Sequence, residues 1–306
     1  MSMKLIIDTD PGIDDAMAIF YAAAAPDIEL VGLTTVFGNV TTDIATRNAL
    51  RLAEAARVDI PVAPGATKPH TLPPFPPTSR VHGDEGFGDI PAATPQGRAL
   101  NENAADFLCR MARTQPGEIT LCAIGPMTNV AAALERDPEF ARNIKQIVMM
   151  GGSLEEGGNI TPHAEANFYH DPHAADIVCA SGADVVMVGL DVTHQILCTA
   201  ADFDTIAANA PELGGMLHDM SDFYLDFYQS VGKFDGCSLH DPAAVIACTH
   251  PQLFEMRTTA VEVVCDGDAS GQSIPAPDNR APIRVCMGVD SDAVKALFID
   301  RLATLR

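Results

Sequence analysis

The sequence predicts an α/β fold, a single domain with a mainly parallel central sheet flanked by helices. Short apolar runs that suit buried strands alternate with longer stretches of helical spacing, the order typical of β-α-β units. Of the 306 residues, 47% are hydrophobic, which is enough for a large packed core. No repeat of fixed period and no shift in composition divides the chain. We therefore expect one domain over residues 1–306.

The first β-α unit begins with the apolar residues 5–7, a run too short for a helix. Pro11 and Gly12 end that strand. The apolar residues 16–25 then predict a helix that starts near Asp14.

The same alternation continues along the chain. Residues 28–40 are mostly apolar up to a Gly–Asn turn, and residues 42–56 follow with helical spacing. Later strands are predicted at residues 119–123, 144–150, 185–190, 261–264 and 283–287, and later helices at residues 101–114, 128–134, 171–181, 213–231, 241–248 and 291–305. The strands are short runs bounded by glycine or polar residues, whereas the helices have apolar residues at helical spacing. The last two strands are expected near a sheet edge.

Residues 61–95 interrupt the alternation because they are rich in proline. Long irregular loops in compact domains are usually functional lids or disordered linkers. Gly83, Gly86 and Gly88 would let this loop bend, and His82 could face a ligand. A surface loop with an incidental histidine is an equally good interpretation of these residues alone.

Four carboxylates crowd the turn between the first strand and the first helix: Asp8, Asp10, Asp14 and Asp15. Like charges this close raise one another's pKa. A hard cation bound by oxygen atoms removes that conflict. Helix capping and solvation explain any two of the four, but a metal site explains all of them. Parallel sheets place their ligands at the carboxyl ends of strands, where Asp8, Asp10 and Asn39 are expected.

The composition excludes several classes of partner. The net charge of −22 and the pI near 4.5 oppose a general affinity for nucleic acid or for an anionic membrane. The eight cysteines form no CxxC pair, which favours reduced thiols in a cytoplasmic protein. The apolar run before Asp8 is too short for a signal peptide, and the longest uncharged run is too short to cross a bilayer.

Several familiar motifs are absent from the sequence. There is no P-loop, no G-x-G-x-x-G after the first strand and no G-x-S-x-G. An EF-hand loop that started at Asp8 would need glycine and glutamate where Ile13 and Ile19 stand. The chain has no tryptophan, so phenylalanine, tyrosine and histidine would have to stack any nucleobase.

A polar, glycine-rich loop follows the strand that ends near residue 150. It contains Asn159, Glu165 and Asn167, whose amide and carboxylate groups can hydrogen-bond the hydroxyls of a sugar. Turn-forming asparagines and a helix-capping acid are the alternative interpretation.

Two other turns carry candidate ligand groups. His240 and Asp241 precede Pro242 at a predicted helix start, where an aspartate is most often only an N-cap. At the strand-to-helix turn that contains Ile124 and Gly125, a main-chain carbonyl could face a cation.

Together these stretches resemble the inosine–uridine-preferring nucleoside hydrolase family. The resemblance is carried by DTDPGIDD (8–15), FGN (37–39), HG (82–83), GPMTN (125–129), MGG (150–152), GNITPHAEAN (158–167) and HDP (240–242). DTDPGIDD is highly specific, whereas HDP and GPMTN are weak singly and strong in this order. The resemblance implies a Rossmann-like nucleoside hydrolase fold and a calcium-dependent enzyme that splits ribonucleosides into ribose and free base.

The resemblance also implies a metal site. Ca²⁺ would be held by the side chains of Asp10, Asp15 and Asp241 and by the main-chain carbonyl of Ile124. Asp10 would also be the general base that takes a proton from the metal-bound water.

The implied sugar contacts come from two parts of the chain. Asp14, Asn39 and Asn167 would hold the 2′- and 3′-hydroxyls of the ribose. Asn159 and Glu165 would hold the 5′-hydroxyl.

Three further residues have implied roles around the sugar and the base. Met150 would pack on the sugar, His82 would line the base pocket, and His240 would protonate the leaving base. The family usually has Glu-Phe-Asn where this chain has Ala166 in the middle position, so an aromatic wall is missing there. An aromatic stretch at residues 223–228 is a candidate for the pocket, although such a stripe more often packs in a core. The lack of tryptophan disfavours the purine-specific class, which resembles a tryptophan-stacking design, and the choice between pyrimidine and broad specificity stays open.

Two rival functions are compatible with part of the sequence. A haloacid-dehalogenase-like phosphatase would use Asp8 and Asp10 with Mg²⁺, but it wants threonine or valine where Gly12 stands. A non-catalytic calcium- or sugar-binding protein would keep the pocket without turnover. The resemblance favours the hydrolase, with a role in nucleoside salvage and a homo-oligomeric state, dimer or tetramer.

Overall fold

The structure is a computed structural model, which describes residues 2–232, 235–277 and 279–305. The other positions of the predicted 1–306 domain lie outside the described residues. The strands are β1 (Met3–Thr9), β2 (Ile28–Thr35), β3 (Val62–Pro64), β4 (Ile119–Ala123), β5 (Gln146–Met150), β6 (Val185–Val188), β7 (Leu197–Cys198), β8 (Cys237–Ser238), β9 (Phe254–Val263), β10 (Ser273–Pro275) and β11 (Pro282–Val289).

The α-helices alternate with these strands along most of the chain. They are α1 (Ile13–Ala24), α2 (Thr42–Ala55), α3 (Ser79–His82), α4 (Ala104–Thr114), α5 (Thr128–Arg136), α6 (Phe140–Asn143), α7 (Ala166–His170), α8 (Pro172–Ala180), α9 (Leu190–Thr193), α10 (Ala200–Asn209), α11 (Leu213–Val231), α12 (His240–Thr249) and α13 (Ser291–Leu302).

Nine of the described strands form one sheet in the order β10-β9-β11-β6-β5-β4-β1-β2-β3. The pairs from β3 through to β11 are parallel, and only the β9 pairings with β11 and β10 are antiparallel. The predicted mainly parallel sheet flanked by helices is therefore confirmed. The last predicted strands lie toward one edge, with β10 outermost.

The central strand β1 is buried on both faces, which explains its unbroken apolar run. Leu5 and Ile7 belong to one hydrophobic core, together with residues of α1, α11, α12 and α13. Ile6 points to the opposite face and belongs to a second core with α4, α5 and α8. Successive strand side chains alternate between faces, so three consecutive apolar residues supply both cores.

Three local predictions are corrected by the structure. The second strand ends at Thr35 rather than near residue 40, because residues 37–40 bend after Val36 donates its main-chain N–H to the Thr9 carbonyl at 3.0 Å. Residues 61–95 are not wholly irregular: they contain β3 and α3. The N-cap of α12 is Leu239, so Asp241 lies inside the first turn and does not cap the helix.

Candidate active site

The candidate site lies at the carboxyl ends of the central strands. β1 is paired in parallel with β2 on one side and with β4 on the other. The turns after these strands therefore open at the same edge of the sheet. They carry Asp10 after β1, Asn39 after β2 and Ile124 after β4, and Met150 closes β5.

Three carboxylates meet at this edge: Asp14, Asp15 and Asp241. One ligand oxygen from each can be chosen so that all three lie within 4.8 Å of one another, and all three residues are buried. Asp14 and Asp15 lie in the first turn of α1 and Asp241 in the first turn of α12. Helix N-termini favour negative charge, which partly offsets the cost of burying these acids.

Burial and mutual repulsion shift the titration of the whole cluster. Removal from water, followed by the charges of Asp14, Asp15 and Asp10, raises the pKa of Asp241 well above its usual range. Burial raises the pKa of Asp14 to about 6, and burial with the charge of Asp14 raises the pKa of Asp15 to about 6. The interactions that raise these pKa values are those a divalent cation would reverse.

The surroundings of the Asp10 carboxylate fit a bound cation. Its Oδ2 accepts a hydrogen bond from the main-chain N–H of Asn39 at 2.7 Å. Its Oδ1 is buried and has no hydrogen-bond partner among the described residues. A Cβ at Gly38 would lie 1.9 Å from Oδ2, and a Cβ at Gly125 would lie 2.7 Å from Oδ1. Two close backbone turns thus hold an oxygen that a cation would satisfy.

Of the four predicted metal ligands, two belong to the three-carboxylate cluster and two do not. Asp15 and Asp241 belong to the three-carboxylate cluster, whose third member is Asp14, predicted to bind the sugar. Asp10 lies beside the cluster, and its main-chain N–H donates to Asp15 Oδ1 at 3.2 Å. The Ile124 carbonyl accepts a hydrogen bond from the Asn167 side chain at 2.9 Å. The donor set of carboxylate and carbonyl oxygens fits a hard cation.

A cavity opens above these carboxylates. Its lining includes every residue that was predicted to bind the substrate or to protonate the leaving base: Asp14, Asn39, His82, Met150, Asn159, Glu165, Asn167 and His240. The other lining residues are Thr78, Val81, Ile124, Ile160, Ala166, His194, Tyr224, Phe227, Tyr228, Val231 and Asp241. Asp10 and Asp15 are not part of this lining, so they lie beneath the walls of the cavity.

The polar wall of the cavity is organised by Glu165 and Asn167. Glu165 caps α7 and accepts the main-chain N–H groups of Asn167 at 2.9 Å, Gly152 at 3.0 Å and Phe168 at 3.1 Å. The helix-capping interpretation is therefore correct for this acid, which also faces the cavity. Burial raises its pKa to about 7. Asn167 donates its side-chain N–H to the carbonyls of Ile124 and Met150.

His240 is held at both ring nitrogens. Nδ1 lies 2.8 Å from the hydroxyl of Thr193, and Nε2 lies 2.8 Å from the hydroxyl of Tyr228. The ring also packs edge-on against His194, with centroids 5.7 Å apart. These contacts fix the orientation of the imidazole at the cavity wall.

His82 is buried in its neutral form. Its Nδ1 accepts the main-chain N–H of Ile13 at 3.2 Å, which leaves the proton on Nε2. Burial lowers its pKa to about 4, so its contact with Asp14 at 3.8 Å is not an ion pair near neutral pH. The ring stacks on Tyr224, whose hydroxyl donates to Asp14 Oδ2 at 3.1 Å.

The aromatic stretch on α11 is only partly a core stripe. Tyr224, Phe227 and Tyr228 line the cavity, whereas Phe223 does not. Thr193 and His194 were not predicted. The sequence LDVTH has no spacing that distinguishes a site residue from a buried polar one, so no local signal was available.

The architecture and the cavity indicate what kind of reaction the protein catalyses. A parallel α/β sheet places clustered carboxylates under a cavity whose walls present hydroxyl-binding amides on one side and aromatic rings on the other. This combination is suited to hydrolases that bind a sugar joined to a ring and break the bond between them.

Comparison with known proteins identifies the family. The model of the family described as inosine-uridine preferring nucleoside hydrolase matches residues 5–296, and the chain belongs to this family. It is 42% identical over 98% of its length to a probable uridine nucleosidase 2 of Arabidopsis thaliana, of which 97% is covered. The chain therefore hydrolyses the N-ribosyl bond of ribonucleosides and acts on small-molecule substrates.

Two solved structures are similar along the whole fold. A plant nucleoside hydrolase is 39% identical with a TM-score of 0.96, over 99% of this chain and 100% of that one. A purine-preferring ribonucleoside hydrolase from Gardnerella vaginalis is 36% identical with a TM-score of 0.95, over 99% and 98% of the two chains. The predicted nucleoside hydrolase fold is confirmed. Among the described residues, no helix combines the length and apolarity that a bilayer crossing requires.

Proposed function

We propose that this chain is a calcium-dependent ribonucleoside hydrolase whose reaction takes place in the cavity above the carboxylate cluster. The single observation that carries the proposal is the buried, unsatisfied Oδ1 of Asp10 beside three mutually close carboxylates. Such an arrangement is unfavourable unless a cation is bound. Family membership argues against the phosphatase and the non-catalytic binder.

The cation would be held by Asp10, Asp15, Asp241 and the carbonyl of Ile124, with Asp14 close enough to interact. Irregular, carboxylate-rich sites suit Ca²⁺ better than Mg²⁺, which demands octahedral geometry and keeps its waters. When bound, the cation would lower the pKa of a water molecule and orient it for attack on the sugar.

Asp10 would act as the general base. Burial and the charges of Asp15 and Asp14 raise its pKa well above the usual range in the metal-free chain. A bound cation would lower this pKa again, so the carboxylate would be ionised and able to accept a proton. Oδ1 would be shared between the cation and the attacking water, because the main-chain N–H of Asn39 already occupies Oδ2.

The carboxylate-rich wall would bind the ribose. Asp14, Asn39 and Asn167 would hold the 2′- and 3′-hydroxyls, and Asn159 and Glu165 the 5′-hydroxyl. Cleavage of an N-glycosidic bond, like that of an O-glycoside, develops positive charge on the sugar ring. Nearby carboxylates stabilise this charge electrostatically.

Around the ring, Met150 would pack against the sugar and His82 would line the base pocket with its Nε2–H as a hydrogen-bond donor. His240 would donate a proton to the leaving base. The hydrogen bond between His240 Nε2 and the Tyr228 hydroxyl links the proton donor to the aromatic wall, where a base would stack.

Four broader properties belong to the same proposal. The eight cysteines are all free thiols, which supports a reducing, cytoplasmic location. Family resemblance supports a dimer or tetramer and a role in nucleoside salvage. We also propose that residues 1–306 form one domain, which would unfold in a single cooperative transition.

A ribose-release screen tests the proposal. Inosine, adenosine, guanosine, uridine and cytidine are assayed after treatment with a chelator, and again after Ca²⁺ or Mg²⁺ is restored. We expect turnover to be lost on chelation and to return with Ca²⁺. Full activity in the presence of chelator would contradict the metal-dependent mechanism. The relative rates of the five nucleosides define the base preference.

A further inference from the structure

A buried aspartate on α9 holds the beginning of the polar loop that leads to Asn159 and Glu165. Asp191 lies in the first turn of this short helix, directly after β6. Its carboxylate accepts the main-chain N–H groups of three consecutive residues, 154–156, at distances of 2.7 to 3.1 Å. One side chain thus fixes the path of the loop over three peptide units.

A serine from a distant strand holds the preceding residue of the same loop. Ser273, on β10, accepts the main-chain N–H of Ser153 at 2.8 Å and donates its hydroxyl to the Ser153 carbonyl at 2.7 Å. Ser273 is buried, so water does not compete for these bonds. Asp191 and Ser273 are called the loop clamp below.

The clamped residues are close in the chain to the residues that face the cavity. Two glycines separate Glu156 from Asn159. Asn159 then closes a short turn: its main-chain N–H donates to Ala164 O at 3.2 Å, and its side-chain Oδ1 accepts the Ala166 N–H at 3.0 Å. A shift at residues 154–156 would therefore move Asn159.

The other end of the loop is tied to the same place. Glu165 Oε2 accepts the N–H of Gly152, one residue before the clamped stretch. The loop from Gly152 to Glu165 is thus a closed unit whose orientation toward the cavity depends on what holds its base. The loop clamp is that anchor, since it ties the loop base to α9 and β10.

We propose that the loop clamp positions Asn159 and Glu165 for the ribose 5′-hydroxyl, and this inference rests on the proposed function of those two residues. Asp191 and Ser273 do not line the cavity and are positioning residues. Their effect is expected only with substrates that have a 5′-hydroxyl, because they act through groups that bind it. A purely structural role would affect all substrates alike.

The test compares two substrates in two variants, Asp191→Asn and Ser273→Ala. The substrates are the ribonucleoside that the wild-type enzyme cleaves fastest and its 5′-deoxy analogue. Loss of one well-placed hydrogen bond predicts that kcat/KM for the ribonucleoside falls by about tenfold, while that for the 5′-deoxy analogue changes by less than about twofold. Amide hydrogen exchange at residues 153–156 should become faster in both variants.

The matched control is Asp202→Asn. Asp202 also accepts main-chain and hydroxyl hydrogen bonds, from Thr199 at the start of α10, but it does not contact the loop. We expect the ratio of kcat/KM for the ribonucleoside to kcat/KM for the 5′-deoxy analogue to stay at the wild-type value. The Ser273→Ala variant removes only a hydroxyl, so it carries the test alone if Asp191→Asn does not fold.

Each outcome separates the clamp from the proposed contacts. If the wild-type enzyme cleaves both substrates equally well, the 5′-hydroxyl contacts of Asn159 and Glu165 are wrong and the clamp has no such role. If the wild-type enzyme prefers the 5′-hydroxyl and the variants keep that preference, the clamp alone is wrong. An equal decrease in kcat/KM for both substrates would also overturn the proposed role of the loop clamp.

Discussion

The Oδ1 atom of Asp10 is buried and has no hydrogen-bond partner among the described residues. A buried carboxylate oxygen without a partner costs folding free energy, and it persists only where something else compensates. Asp8, two residues earlier, is a partial contrast: its Oδ1 accepts hydrogen bonds from Thr34 and Asn129, whereas its Oδ2 is also buried without a partner among the described residues. At Asp10 the close backbone is that of Gly38, beside Oδ2, and Gly125, beside Oδ1, and no donor of the described residues reaches Oδ1.

We predict that Asp10→Asn abolishes turnover but does not destabilise the metal-free protein, as it exists in the presence of a chelator. The amide keeps an oxygen for the Asn39 N–H and removes one charge from a repulsive cluster. Loss of a general base alone typically costs about 10²–10⁴-fold in rate. Ribose release and thermal unfolding in chelator measure the two effects. A variant that unfolds well below the wild-type temperature would contradict the electrostatic argument.

His240→Gln provides a second test at the scale of a residue. We expect hydrolysis of natural ribonucleosides to fall by about 10²–10⁴-fold, because the leaving base loses its proton donor. Hydrolysis of p-nitrophenyl β-D-ribofuranoside should fall far less, since its leaving group is stable as an anion. The control is His218→Gln, which removes only partly exposed contacts with Asp204 and Asp219. Equal losses on both substrates would argue against leaving-group protonation.

At the scale of elements, the site is built from turns that follow the central parallel strands. These turns come very close together, and glycines make the approach possible. Glycine is needed at position 38 because any Cβ there would overlap the Asp10 carboxylate. The same reasoning applies to Gly125, on the opposite side of that carboxylate.

Gly38→Ala should displace the Asp10 carboxylate and weaken Ca²⁺ binding. The expected result is a loss of activity of about 100-fold or more, in the range found for groups that orient metal ligands and reactants. Gly215→Ala is the matched control, because the new Cβ in α11 meets nothing within 4 Å. That variant should be fully active and more stable by about 0.5–1 kcal/mol. Calcium titration and thermal unfolding measure both effects.

The long elements were predictable and the short ones were not. α2 and α11 have regular apolar spacing over many residues, and β1 and β4 are apolar runs bounded by breakers. β3 has three residues and β7 two, and each is recognisable only by its pairing with a neighbouring strand. A hydrophobic period can be recognised only over several residues. Strands of two or three residues that form by tertiary pairing are therefore hard to predict from the sequence.

At the scale of the whole molecule, the carboxylate cluster couples folding to pH and to metal. Asp14 and Asp15 have pKa values of about 6 in the folded chain, above the usual 3.8. Between these values, the folded state keeps protons that the unfolded chain has released. Stability of the metal-free protein therefore falls as the pH rises through this window.

The prediction is that, in chelator, the unfolding temperature decreases from about pH 4 to pH 6–7 through the contribution of this cluster. Ca²⁺ binds the deprotonated carboxylates, so the increase in unfolding temperature that it causes should grow over the same range. Thermal scans with chelator and with Ca²⁺ measure both trends. In Asp14→Asn the pH dependence should be weaker. A calcium effect independent of pH would contradict the linkage.

The fold class, the carboxylate turn and the family could be predicted from the amino-acid order alone, because they depend on local features: apolar runs, breakers and a dense motif within one turn. Which side chains meet in the site depends on the three-dimensional packing. Tyr224 and Asp14 are 210 positions apart, and Ser273 and Ser153 are 120 apart, yet both pairs are hydrogen-bonded. Such contacts depend on how helices and strand ends pack in three dimensions. The sequence pattern does not specify the spatial distance between residues that are far apart in the chain.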